Sequence, residues 1–269
     1  ILLVIEALRE RGLLLQNAPH LVSKQAFVIP IYRWFDLPFY LTGLKLYDLL
    51  AGKHSFGSSK RLSRQETLKA LPTIRSDGLH GGVCYYDGRF DDARLAINLA
   101  QTCVDYGGCP LNYVRVDGLE KANGRLTGVT ATDLENQKTY HLKTRAVINC
   151  TGVFADEVLR MDDPAARVRI KPSQGIHLVL NKAFLGGTDG LMIPKTSDGR
   201  VLFVLPWDDM VLMGTTDTEL NIISLEPKAL EEEIDFIINT AATYLECPPS
   251  RRDIQCVFAG LRPLAAPHD

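Results

Sequence analysis

The chain has 269 residues, 46% hydrophobic and 23% charged, a globular balance with ample material for a core. Its formal net charge of −2, with no long block of one sign, gives nucleic acid no electrostatic footing. Cys84, Cys103, Cys109, Cys150, Cys247 and Cys256 lack C-x-x-C spacing, which argues against a metal site or disulfide framework and for free thiols in a reducing compartment. No run reaches the ~18 apolar residues of a transmembrane helix.

In chain order, "ILLVIEALRERGLLLQ" predicts a helix over 1–15, without an initiating Met, an N-cap or a signal-peptide pattern. At the other end "AGLRPLAAPHD" stops just after a strand-like run, so the chain is expected to be an internal piece of a longer protein. "SKQAFVIPIYRW" reads as a strand interrupted by Pro30 and therefore at a sheet edge. "PFYLTGLKLYDLLAG" has a helical period with Gly52 as its C-cap. Ser63 with Glu66 forms a capping-box pattern before a short helix stopped by Pro72. "GGVCYYDGRFDD" reads as extended chain around an Asp87-Gly88 turn, after which Asp91 caps the helix "DARLAINLAQTCVDYG".

Three β-rich runs follow, the first two joined by Asn123-Gly124, a strong hairpin signal. They read as a meander feeding a buried strand in "AVINCTGVFADEVL", which breaks at Thr151-Gly152 and opens a helix. Such a crossing brings backbone close to a phosphate-bearing cofactor. The order across 91–160 is that of the second half of a doubly wound nucleotide domain with a meander inserted. Its usual opening half, a strand followed by G-x-G-x-x-G, appears nowhere in the chain. From Arg169 onward, short strands punctuated by Gly, Pro and Asp predict a mostly antiparallel sheet, followed by a helix over 227–245 and a last strand, "DIQCVFAGLRPLA".

"YYDGRFDDARL", "INCTGVFAD", "KPSQGIHLVL", "FVLPWDDMVLMGTTD" and "AGLRPL", in this order, closely resemble the FAD-dependent glycerol-3-phosphate dehydrogenases, flavoproteins of the D-amino-acid-oxidase-like class. The resemblance runs along nearly the whole chain and answers the missing loop, which in that family lies upstream of the first helix here. It implies an α/β (α+β) fold class. Residues 1–168 would form a partial FAD-binding doubly wound domain with a β-meander and an inserted N-terminal segment. A mostly antiparallel substrate domain would occupy 169–250, and 251–269 would return to the FAD domain. The implied activity is oxidation of glycerol 3-phosphate to dihydroxyacetone phosphate, with hydride passing to FAD and electrons to a quinone. An oxygen-using oxidase and a cofactor-less, non-catalytic fragment are the alternatives. Without the Gly-rich loop, this chain alone is expected not to hold FAD tightly.

The resemblance also marks residues. His177, on the alternating strand "GIHLVL", reads by itself as a half-buried strand histidine; the family's histidine at this place faces substrate, where a near-neutral imidazole suits removal of a hydroxyl proton. Arg262 reads either as a salt-bridged surface arginine or, as in the family, as a guanidinium that binds substrate oxygens. Thr151 and Gly152 would approach the FAD diphosphate, the Val116 backbone would meet adenine, and Gly260 and Leu261 would pass the flavin ring. Lys171 and Lys195 read as solvated surface lysines and the 214–217 "GTTD" run as a structural turn. "YRWFDLPFYLTGLKLYDLLAGK" mixes aromatics with Lys and Arg, which suits either a membrane surface or a domain helix. The implied location is cytoplasmic, or peripheral on an inner membrane (mitochondrial in a eukaryote).

Overall fold

The computed structural model describes residues 2–267; Ile1, His268 and Asp269, which the expected first helix and last segment include, lie outside the described residues. The chain divides into two compact units. The first comprises Ile1–Ala96, Gly175–Thr216 and Lys228–Ala259, and the second Ile97–Gln174, Asp217–Pro227 and Gly260–Asp269. These divisions fall elsewhere than at 168 and 250, because the N-terminal strands join the sheet that the later strands build.

In the first unit the strands are β1 (Val22–Ile31), β2 (Lys60–Leu62), β3 (Gly81–Phe90), β8 (Gly190–Ile193), β9 (Leu202–Trp207) and β10 (Met210–Gly214). With the later part of β7 (Ile170–Asn181) they stand in the order β7-β10-β9-β8-β1-β3-β2. Strand alternation sends Phe27, Ile29 and Ile31 to one face, where α2 (Asp36–Ala51) covers them with Leu37, Tyr40, Leu41 and Leu44. Val28 points to the other face and joins the main core of Ile176, Leu178, Leu180, Leu191 and Val204. Ile237 and Ala241 of α6 (Glu231–Ala242) close that core. The short helix α3 (Arg64–Ala70) carries the expected capping box: Ser63 Oγ accepts from the Glu66 amide at 3.2 Å, and Glu66 accepts from the Ser63 amide at 2.7 Å. The hydrogen bonds from the Ser63 amide and, less strongly, the Ser63 side chain hold the Glu66 carboxyl below its ordinary pKa.

Several expectations need correction. β1 is interior, not an edge: it pairs with β3 on one side and β8 on the other. Ile31 O accepts from His80 N, so bonding alternation turns the missing N–H of Pro30 toward β8, where pairing ends at Val28↔Leu191. Proline therefore costs this strand no ladder bond. Asp87-Gly88 makes no turn, since β3 runs straight through it against a ten-residue partner. Asp87 instead accepts from Gly88 N and from Arg11 Nη1, both at 2.7 Å. Arg11, on α1 (Leu2–Asn17), also donates to Tyr47 Oη, and burial with the nearby Asp87 carboxylate pushes that phenol up to about 12. The helix expected over 227–245 spans only Glu231–Ala242.

In the second unit β4 (Val114–Ala122), β5 (Arg125–Asp133) and β6 (Thr139–Lys143) form the expected antiparallel meander. Asn123 and Gly124 both have positive φ, 50° and 74°, as a two-residue hairpin turn requires. Helix α5 (Ala155–Asp162) follows, its Asp162 paired with Lys121 of β4 at 2.8 Å. Asp156 is buried and accepts from the Arg169 and Ile170 amides, fixing the entry to β7. The two residues of β11 (Thr218–Glu219) pair with Gln174 and Ser173. The expected strand at 146–150 is absent from every ladder among the described residues, and Ile148 is 84% exposed. An apolar run becomes a strand only where a neighbouring strand takes its amides, and none of the described strands does so here. The last long strand, β12 (Cys256–Ala265), pairs with β7. The helix α4 (Asp92–Asp105) has its first turn capped by Asp91, whose Oδ1 accepts from Arg94 N at 3.0 Å.

Candidate active site

His177 lies on β7 within the first unit, half-buried, in register with Gly214 of β10. Its neighbours on the strand, Ile176 and Leu178, are fully buried in the core, so alternation brings the imidazole out on the opposite face. The ring stacks on Phe258, with centroids 5.1 Å apart and planes 12° from parallel. On Gly214 a Cβ would sit 2.4 Å from His177 Cδ2 and 2.8 Å from Nε2, so only glycine leaves the imidazole its place. Beneath it, Thr216 Oγ1 accepts from Ile176 N at 3.1 Å and donates to the buried Glu233 carboxylate at 2.7 Å. The run 214–217 makes no turn: it carries the chain from β10 on to the next short strand alongside β7, and Thr216 bonds the strand bearing His177.

Arg262 lies on β12 within the second unit. Its Nη1 stands 3.7 Å from Asp217 Oδ1, and both side chains are partly exposed. Asp217 also accepts from Ser173 Oγ. Phe258 and Glu233 escaped the sequence reading, and Gly214 and Asp217 entered it only as part of an expected turn. The "GIH" and "GTTD" runs carry a usable signal, since a glycine inside a strand pattern marks close backbone approach.

The residues expected to hold FAD fall in the second unit. Thr151 donates from Oγ1 to Asn149 Oδ1 at 2.8 Å, and Asn149 Nδ2 in turn donates to Ala155 O at 2.9 Å, which ties the 149–155 turn to the start of α5. Gly152 sits in the left-handed region at φ 58°, where any side chain is strained. Nothing lies within 4 Å of a Cβ built on Gly152 or on Gly260, so both backbones face open space. Val116 is on β4 opposite Ala131, next to a bulge that leaves part of its backbone free of the regular ladder. Leu261 follows Gly260 on β12 and is half-buried. Lys171 pairs with Glu219 at 2.7 Å, and Lys195 is exposed. Among the described residues no group of His, Cys, Asp and Glu is arranged to hold a metal ion.

Comparison with known proteins places these features in a family. The family described as FAD dependent oxidoreductase matches residues 1–269. The mitochondrial glycerol-3-phosphate dehydrogenase of Macaca fascicularis is 40% identical over 97% of this chain. The chain spans 37% of that relative's length. Among solved structures, the glycerol-3-phosphate dehydrogenase of Bacillus halodurans, determined with FAD, superposes with a TM-score of 0.80 at 28% identity, covering 96% of this chain and 47% of that one. The L-α-glycerophosphate oxidase of Mycoplasma pneumoniae shares the fold, with a TM-score of 0.74 at 17% identity, over 98% of this chain and 68% of that one. The chain belongs to the FAD dependent oxidoreductase family.

Proposed function

We propose that the protein to which this chain belongs oxidises glycerol 3-phosphate to dihydroxyacetone phosphate, with FAD as the hydride acceptor and a quinone as the next acceptor. The observation that carries the reading is the chain-long identity to an enzyme of that name. Bound FAD supplies a two-electron acceptor for the hydride of the secondary alcohol. The protein's own side chains do the rest. His177 accepts the substrate's hydroxyl proton at Nδ1 or Nε2, a task that suits an imidazole. Arg262 exchanges its long contact with Asp217 for the substrate oxygens and steadies the charge that develops there. Thr151, Gly152, Val116, Gly260 and Leu261 would meet the cofactor, the two glycines with no side chain within 4 Å of their open side.

The quinone reading favours a membrane surface, and α2 supplies a candidate. On this helix Phe39 is 73% exposed and Leu49 is 75% exposed, and Trp34, in the turn just before it, is 73% exposed. Arg33 and Lys45 flank them. Apolar side chains bordered by cations suit a helix lying in a bilayer interface. No helix among the described residues is long and apolar enough to cross a membrane. The proposed location is accordingly a membrane face, mitochondrial in a eukaryote.

The test is anaerobic titration of the full-length protein. Glycerol 3-phosphate should bleach the oxidised flavin spectrum, and a soluble quinone should restore it. A flavin spectrum indifferent to glycerol 3-phosphate would overturn the reading, and rapid recovery in air with peroxide release would move it to an oxidase.

A further inference from the structure

The imidazole of His177 is held by contacts that core packing does not require. Phe258 is 46% exposed, yet its ring lies flat on His177. Gly214 presents bare Cα to the imidazole, and the distances leave no room for even one methyl group. The segment after Gly214 is in turn anchored through Thr216 to the buried Glu233. The strand backbone at Ile176, one residue before the histidine, hangs on the same hydroxyl. These contacts restrict both the backbone and the ring at one residue of the strand.

We propose that Phe258 and Gly214 are positioning residues for His177: the aromatic stack and the missing Cβ hold the imidazole in the one orientation that presents a ring nitrogen to the substrate hydroxyl. The inference rests on the reading of His177 as the proton acceptor. A histidine side chain has two rotatable bonds, and a ring free to turn spends much of its time with its nitrogen misdirected. Proton transfer needs the acceptor within about 2.6–3.2 Å of the donor, so a displacement near 1 Å costs on the order of 10²-fold in rate. Stacking and close packing remove that freedom before substrate arrives, which lowers the barrier and leaves binding of the substrate nearly unchanged.

The experiment is a double-mutant cycle in the full-length protein, read as kcat and KM for glycerol 3-phosphate with flavin content and Tm measured on every variant. Phe258→Leu should lower kcat by roughly 10- to 100-fold with KM within about threefold of wild type. Phe258→Tyr, which keeps the flat ring, should restore most of kcat. Gly214→Ala, which drives a methyl group into the imidazole, should lower kcat through the same ring and likewise have almost no further effect in a His177→Ala background. In a His177→Ala background, Phe258→Leu should have almost no further effect, since the group it orients is gone. An equal loss from Phe258→Leu with and without His177 would overturn the proposal, as would a Tyr variant as slow as the Leu variant. If His177→Ala itself turned over normally, the reading of His177 would fail first and the positioning role with it.

Discussion

Arg262 divides a structural arginine from a functional one. Its contact with Asp217 is 3.7 Å long and partly exposed on both sides, and a pair of that kind contributes about 0–1 kcal/mol to stability. A guanidinium that binds substrate oxygens in a site closed from water is worth far more, about 2.7–4 kcal/mol in comparable oxyanion contacts. Lysine keeps the charge and loses the planar fork. Arg262→Lys in the full-length protein should therefore keep its flavin and its Tm and lose most of its kcat/KM. A lysine variant that works normally, or that fails because it unfolds, would return Arg262 to the surface ion pair. At this scale His177 and Arg262 were singled out by resemblance alone, through the runs "GIH" and "GLRPL". Phe258 was not, because an aromatic on an apolar strand looks like core until the stacked ring is seen.

The elements were legible where the signal is local. The Ser63–Glu66 box and the Asn123-Gly124 hairpin involve residues within three positions of each other, and both formed as read. The errors came where the outcome depended on a distant partner. Pro30 was tolerated inside the sheet because β8 pairs with only two residues of β1, and Asp87-Gly88 stayed extended because β1 runs alongside it. The apolar run at 146–150 has the composition of a strand, and composition alone does not supply a ladder. α2 was readable as a helix, with its exposed aromatics left open between two roles. Its position over Phe27, Ile29 and Ile31 fixes which side it buries, and Trp34, Phe39 and Leu49 remain outside. Replacing Phe39 and Leu49 together by Ser should leave turnover with a soluble acceptor intact. The same variant should lower co-sedimentation with anionic phospholipid vesicles at least tenfold, since each buried apolar side chain contributes ~1.5–3 kcal/mol. Unchanged vesicle binding would remove the membrane role from this helix.

For the molecule as a whole, the mixed α/β architecture and the family were both in the sequence, the first through periodicity and the second through resemblance. The way the strands assemble was not. Residues 1–96 group with 175–216 because β1 lies between β3 and β8, a contact across more than 150 positions that no local pattern announces. That assembly gives β7 its buried side at Ile176 and Leu178, and so sets the face on which His177 emerges. Function at this scale reduces to whether that imidazole removes the substrate proton. The deciding measurement is the rate of flavin reduction by glycerol 3-phosphate in a single turnover of full-length His177→Ala, alongside wild type. A fall on the order of 10²–10⁴-fold, with flavin content retained and substrate affinity little changed, is the expected result. A variant that reduces its flavin at the wild-type rate would contradict it and leave His177 a half-buried strand histidine.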